Sequence, residues 1–427
     1  MFNHPLSVHL EVTDSCNNAC PHCYATNWIK MSSFDKRNKD HRVKPSLVEL
    51  AKKIVNANIF DVIITGGEPL LVDIDNLYSL FTFFDSHHVG YSLNTNGRLL
   101  NKDICKILSM SSLKTVLVSL HAWDNSLHNK IVGSRKAAEE TKLGIVNAVE
   151  CGINVAVNQV VDNRNVELMV KSAVELERIG VNQISFTRAL SPIDGEYNVN
   201  SVSPSKFIDE FLKCKEKSSI FITSLLPIPF CSDDRMGDIN LKLSCSGGTT
   251  TGVVSCYGDV RFCPHDSYIW GNIFKEEFNV IWKRISEWRD NIPVPEKCGD
   301  CVFNLECRGG CRMASKMLYN NYSSLDPWAR GVNGVINNKE KNILNNFDYS
   351  CLYKIRPDIK WRQEGDDILL YSNDKHIKIN HDGLKFIENL PIRFIPDRII
   401  DLFEINKGQG SDFLERLFHS GFLTRDI

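Results

Sequence analysis

Ser7-Val8-His9-Leu10-Glu11-Val12-Thr13 is followed, two residues on, by Cys16-Asn17-Asn18-Ala19-Cys20-Pro21-His22-Cys23. The first run alternates in polarity and is rich in β-branched residues, the pattern of a strand. The second places three cysteines on one short loop at C-x3-C-x2-C spacing, with no fourth ligand nearby. A structural zinc site takes four protein ligands and closes. Iron–sulfur clusters are held by cysteine thiolates, and a cubane has four irons. Three thiolates leave one iron open to a small molecule, and an open position marks catalysis rather than structure. A partial zinc site fits the same spacing.

A second strand, Asp61 to Thr65, runs into Gly66-Gly67-Glu68-Pro69. Two glycines permit a close backbone approach, and Glu68 adds an acceptor beside them. With both elements in this order, each after a strand, the chain resembles the radical S-adenosylmethionine (radical SAM) superfamily. The resemblance implies a [4Fe–4S] cluster on Cys16, Cys20 and Cys23 that binds SAM. It also implies that the Gly66, Gly67, Glu68 and Pro69 segment meets the methionine amino group. Tyr24, next after the loop, corresponds to an aromatic residue near the adenine. Ser119 and Asn158 are the expected contacts to the SAM carboxylate or ribose.

At 427 residues, two or three domains are expected. The first half alternates strand and helix. Strands are expected at residues 8–13, 62–65, 90–95, 115–120, 154–161 and 183–187. Helices are expected at 45–56, 74–85, 137–151 and 166–178. That rhythm predicts an α/β fold with a parallel sheet and right-handed crossovers. Six such units make a partial TIM-type (β/α)6 barrel, as in the radical SAM fold, with ligands at the C-terminal strand ends. Those ends are polar here: Asn94-Thr95-Asn96-Gly97, Ser119-Leu120-His121, Asn158-Gln159 and Arg188. Asn94, Thr95 and His121 are candidates to line a substrate mouth.

From residue 245 cysteines become dense: Cys245, Cys263, Cys298, Cys301, Cys307, Cys311 and Cys351. The quartet at 298–311 alone would suit one zinc. The whole array, with Gly258 between its first two cysteines, resembles the SPASM extension, which implies two auxiliary [4Fe–4S] clusters. By that resemblance the first uses Cys245, Cys263 and Cys311, with Cys231 or Cys256 in range as a fourth ligand. The second uses Cys298, Cys301, Cys307 and Cys351. Anaerobic sulfatase-maturating enzymes share the architecture, but the aspartate they carry directly after the second cysteine of the array is Pro264 here, followed by His265 and Asp266. Cys105, Cys151 and Cys214 fall in helical stretches and are expected to be buried small hydrophobes.

Beyond Cys351, strands at 368–372 and 376–380 precede helices at 383–389, 399–403 and 413–418, a winged-helix-like pattern. It resembles the small peptide-recognition domain of pyrroloquinoline quinone biosynthesis, which implies a ribosomally made precursor peptide held by its leader as an added strand. Expected domains are thus 1–215 (radical SAM barrel), 216–352 (auxiliary clusters) and 353–427 (peptide recognition).

A net charge of −2, and mixed signs from Ile392 to Arg425, argue against nucleic acid as a partner. No apolar run reaches a membrane span and no export signal is evident, so a cytoplasmic location is expected. Fifteen cysteines in that setting point to metal thiolates rather than disulfides. The resemblance implies that a 5′-deoxyadenosyl radical, fed by a one-electron reductant such as flavodoxin or ferredoxin, modifies the peptide by a thioether or carbon–carbon crosslink. Epimerisation or side-chain oxidation is the alternative within the same chemistry, and a zinc-bearing binding protein is the alternative from another class.

Overall fold

The computed structural model describes residues 2–25, 43–190, 202–239, 244–331, 347–373, 375–402 and 407–426. The chain forms two compact units, residues 3–338 and 339–427.

The first unit is built on one sheet, ten strands wide among the described residues. Six strands follow the sequence order in parallel: β1 (Ser7–Glu11), β2 (Asp61–Thr65), β3 (Gly90–Thr95), β4 (Val116–Ser119), β5 (Val155–Val161) and β6 (Gln183–Arg188). A short β7 (Phe221–Thr223) extends the β6 edge in parallel. On the other side β8 (Thr251–Val254) pairs in parallel with β1, and β9 (Asp259–Arg261) and β10 (Gly271–Asn272) continue antiparallel. The strand order therefore has two ends, an open barrel. The cysteine-rich region contributes to the same sheet and is not a separate body. Helix Pro204–Lys217 likewise runs across the expected boundary at 215.

Helices α1 (Leu47–Asn56), α2 (Ile74–Ser86), α3 (Lys102–Ser109), α4 (Asn125–Val132), α5 (Ala137–Glu150) and α6 (Met169–Arg178) lie between the strands. Each buries one apolar stripe; α1 buries Leu50, Ala51 and Ile54 behind a Ser46–Glu49 capping box. The parallel strands are covered and hence apolar, so Val8, Leu10, Val62, Ile64, Leu93, Val116, Val118 and Val157 form the core. All six C-terminal strand ends emerge on one rim, where polar residues collect.

The second unit has two antiparallel sheets of three strands among the described residues. One is the meander β12 (Lys360–Glu364), β13 (Asp367–Ser372) and β14 (Lys375–Ile379). The other places β11 (Tyr353–Ile355) between β15 (Arg393–Phe394) and β16 (Leu423–Arg425). Helices His381–Asn389, Pro396–Leu402 and Lys407–His419 complete it. The three helices agree in order with the sequence pattern, but four of the strands carry no local signal. In β12 the inward positions hold Arg362 and Glu364, paired at 2.9 Å and nearly buried. That pair replaces the apolar alternation by which a strand is recognised. Phe347 stacks on Tyr353 and Phe418, so this core begins upstream of Cys351.

Among the described residues no helix is long and apolar enough to cross a membrane.

Candidate active site and cluster sites

The loop after β1 is tied to the loop after β2 by main-chain bonds. Gly67 N–H donates to the Thr13 carbonyl and Glu68 N–H to that of Ser15, each at 2.8 Å. A Cβ on Gly66 would stand 2.4 Å from Thr13 O, and one on Gly67 2.1 Å from Ser15 O. The two glycines thus admit the cysteine loop itself.

Glu68 is fully buried. Its carboxylate accepts from Leu70 N–H (3.0 Å), the Thr95 hydroxyl (2.6 Å) and Asn96 N–H (2.7 Å). Burial raises its pKa and these donors oppose the rise. Glu68 therefore joins the ends of β2 and β3. Asn96 in turn donates to Asn17 Oδ1 (2.6 Å), and Arg98 to Asn18 Oδ1 (2.9 Å) and to the Asn17 carbonyl. From the other side Ala19 N–H donates to Val132 O at the end of α4 (2.9 Å). Three strand or helix termini clamp a loop that has no regular structure of its own.

On this frame the three thiols converge. Burial pushes the Cys20 thiol well above its ordinary value, and the neighbouring Cys23 and Cys16 add to the effect. Asn18 N–H points at Cys16 Sγ (3.4 Å). Half-buried thiols that disfavour one another's ionisation become thiolates most readily on a cation. All cysteines described are free of disulfides. The donor set fits a three-thiolate cluster with one open iron. Cys20, His22 and His121 also bring ligand atoms within 4.8 Å of one another. His121 is buried, however, and spans neighbours: Val160 N–H donates to its Nδ1 and its carbonyl accepts from Asn165. That bracing role differs from the substrate-lining one expected of it.

Ser119 and Asn158 are register partners on β4 and β5, both half-buried on the rim. The Thr187 hydroxyl donates to Asn158 Oδ1 (2.7 Å). Tyr24 packs against the His265 ring at 5.1 Å.

Cys245, Cys263 and Cys311 lie within electrostatic reach of each other; burial, then Cys245 and Cys311, raises the Cys263 thiol. Gly258 (φ +82°) turns the β8–β9 hairpin that leads to Cys263. Cys311 N–H donates to Asp326 Oδ2 (2.7 Å). That carboxylate also holds the Arg188 guanidinium in a fully buried pair at 2.5 Å. Arg188 stands at the β6 end, so the pair fastens this loop to the barrel rim. Asp326 carries no motif, and only its partner was visible as a polar strand end.

Cys298, Cys301 and Cys307 line one cavity together with Cys231. Burial, then Cys231, Cys307 and Cys301, pushes the Cys298 thiol up to about 11. Cys256 is buried beside Lys44 and Asp14. Of the two residues considered as a fourth ligand for the Cys245 set, Cys231 thus sits against the other trio and Cys256 against the Asp14 carboxylate. Cys351 lies in the second unit, packed against its core beside Asp348. Cys105 and Cys214 are fully buried helix residues, and Cys151 packs on the core.

The family model of the radical SAM superfamily matches residues 10–167, and that of the SPASM iron–sulfur cluster-binding domain matches residues 245–302. Mycofactocin maturase MftC of Mycobacterium ulcerans is 25% identical over 327 residues, covering 74% of this chain and 84% of that protein. The AdoMet-dependent heme synthase of Methanosarcina barkeri is 23% identical over 349 residues, covering 77% and 97%. Among solved structures, Streptococcus suis SuiB superposes with a TM-score of 0.60 at 16% identity, covering 77% of this chain and 78% of that one. The protein anSMEcpe with bound AdoMet superposes at 0.58 with 19% identity, covering 75% and 94%. At these identities the structural likeness is one of fold.

Proposed function

The chain being a radical SAM protein with a SPASM iron–sulfur domain, we propose that it is a maturase of a ribosomally made precursor peptide that forms a thioether or carbon–carbon crosslink. The observation that carries this reading is the convergence of three half-buried thiols on a clamped loop with no fourth cysteine among them. The similarity to mycofactocin maturase, and to a fold solved in SuiB bound to its precursor peptide SuiA, supports the peptide as substrate.

Cys16, Cys20 and Cys23 would hold a cluster that with SAM would supply a 5′-deoxyadenosyl radical, and the further cysteine sets would hold clusters able to take up the electron left when a new bond closes. The protein's own part is positioning. Glu68, with both oxygens occupied by protein donors, fixes Thr95 and Asn96. Contact with the SAM amino group from Gly66–Pro69 therefore falls to backbone carbonyls. Ser119 and Asn158, paired in register at the rim, are the residues that would hold the SAM carboxylate or ribose, and Tyr24 the one that would pack near the adenine. The imidazoles of His22 and His121 meet edge-on at 4.6 Å beside the loop, and burial holds both below their ordinary pKa.

In the second unit, the β12–β13–β14 meander ends in strand β14, whose Lys375 and His376 are exposed. An antiparallel sheet with such an edge suits strand addition, so this unit is the proposed leader-binding module. A flavodoxin or ferredoxin is the proposed reductant.

The test is anaerobic incubation of reconstituted enzyme with SAM, reductant and the candidate precursor. Formation of 5′-deoxyadenosine together with a two-mass-unit loss from the peptide is expected. Unchanged peptide mass in light water with one deuteron gained in heavy water would mean epimerisation instead. Undiminished 5′-deoxyadenosine after alanine replacement of Cys16, Cys20 and Cys23 would end the reading.

A further inference from the structure

Cys231 falls outside the seven-cysteine array, and no pattern in its neighbourhood marks it as a ligand. Its place in the fold does. It follows β7 by a short connection and sits in the single turn Phe230–Ser232. The cavity it lines is walled by Cys298, Cys301 and Cys307 and by Pro229, Phe230 and Phe303. Three features hold it there. The Phe230 ring meets Phe303 edge-on at 5.1 Å, which packs the Cys231 turn onto the Cys301–Cys307 loop. Phe230 N–H points at the Cys307 sulfur. Arg330 donates to the Cys231 carbonyl (2.7 Å) and pairs with Asp234 (2.7 Å), bracing the turn from behind. Gly310, whose added Cβ would lie 2.8 Å from Pro229, lets the two loops close.

We propose that Cys231 is the fourth thiolate of the cluster held by Cys298, Cys301 and Cys307, in the role that the resemblance to the SPASM extension gives to Cys351. This rests on the reading of that trio as an iron–sulfur site. Four cysteines then enclose one cubane completely, which suits an electron carrier that binds no substrate. The barrel's last strand leads into this ligand, so the site draws on both halves of the first unit.

The test uses the full chain with Cys16, Cys20 and Cys23 replaced by alanine, so that only auxiliary clusters contribute. About eight irons per chain are expected in this parent. Adding Cys231→Ala should lower the count to about four, or keep the iron but make the reduced EPR signal respond to added 2-mercaptoethanol. Cys256→Ala should change neither, which controls for general destabilisation. A Cys231→Ala protein matching its parent in iron and signal overturns the assignment, as does a Cys351→Ala protein that gains the thiol-responsive iron in its place. A parent that binds no iron overturns the cluster reading itself.

Discussion

Replacing Gly67 by alanine would place a methyl carbon 2.1 Å from the Ser15 carbonyl oxygen, 2.5 Å from its carbon and 3.1 Å from Cys16 N. Ordinary contact begins at 3.4 Å, so the loops must part by 3.4 − 2.1 = 1.3 Å. All three contacts are backbone, and no side chain can swing away. That separation breaks the Gly67–Thr13 and Glu68–Ser15 bonds, each worth about 1 kcal/mol net. Residual crowding adds about 1–3 kcal/mol. The sum, about 3–5 kcal/mol, falls on the loop that carries Cys16. Gly67→Ala should therefore lower the urea midpoint of the protein and lose about four of roughly twelve irons after anaerobic reconstitution, while the auxiliary signals persist. A variant with parental midpoint and parental iron would refute the claim that this glycine exists to admit the cysteine loop.

Asp326→Ala strands the buried Arg188 guanidinium and should cost about 3–5 kcal/mol in urea unfolding, whereas Glu167→Ala, at the exposed Lys206 pair, should leave the urea midpoint nearly unchanged. Burial, helped by the Lys142 charge, holds the His128 imidazole down to about 4. Between that value and 6.5 the unfolded chain binds a proton that the folded chain refuses. This contribution is thus complete above pH 6.5 and is lost as pH falls toward 4, by roughly 3 kcal/mol. Urea midpoints between pH 5 and 7.5 should show it, and His128→Gln should flatten the slope. Arg98→Ala removes a side-chain tie from Asn18 and should raise the SAM dissociation constant several-fold, read by equilibrium binding. Iron removal by chelator should loosen residues 245–331, measured as hydrogen exchange, while β2 to β6 stay protected.

The alternation of the first half was legible because covered parallel strands read as short β-branched runs between amphipathic helices, and those six strands lie within one or two residues of their expected bounds. The Cys16–Cys23 loop was legible because its ligands are local. What escaped was what joins distant segments. Val8 pairs with Gly252, and Arg188 with Asp326; neither leaves a trace in its own neighbourhood. Glu68 was expected to serve a ligand, because sequence shows an acceptor but not the three protein donors that already occupy it. Cys231 was weighed as a ligand of the Cys245 set from proximity in sequence, and the fold carries it to the other trio.

The pairing of β8 with β1 bears on how the chain can be cut. Ser7 to Leu10 hydrogen-bond to β2 on one flank and to Thr251–Val254 on the other. A fragment ending near residue 215 would leave that second flank bare, presenting a row of unsatisfied amides and carbonyls directly beneath the SAM-binding loop. Such a fragment should self-associate through β1 and lose its metal loop geometry at the same time. The barrel and its cysteine-rich neighbour should therefore be expressed and engineered as one piece.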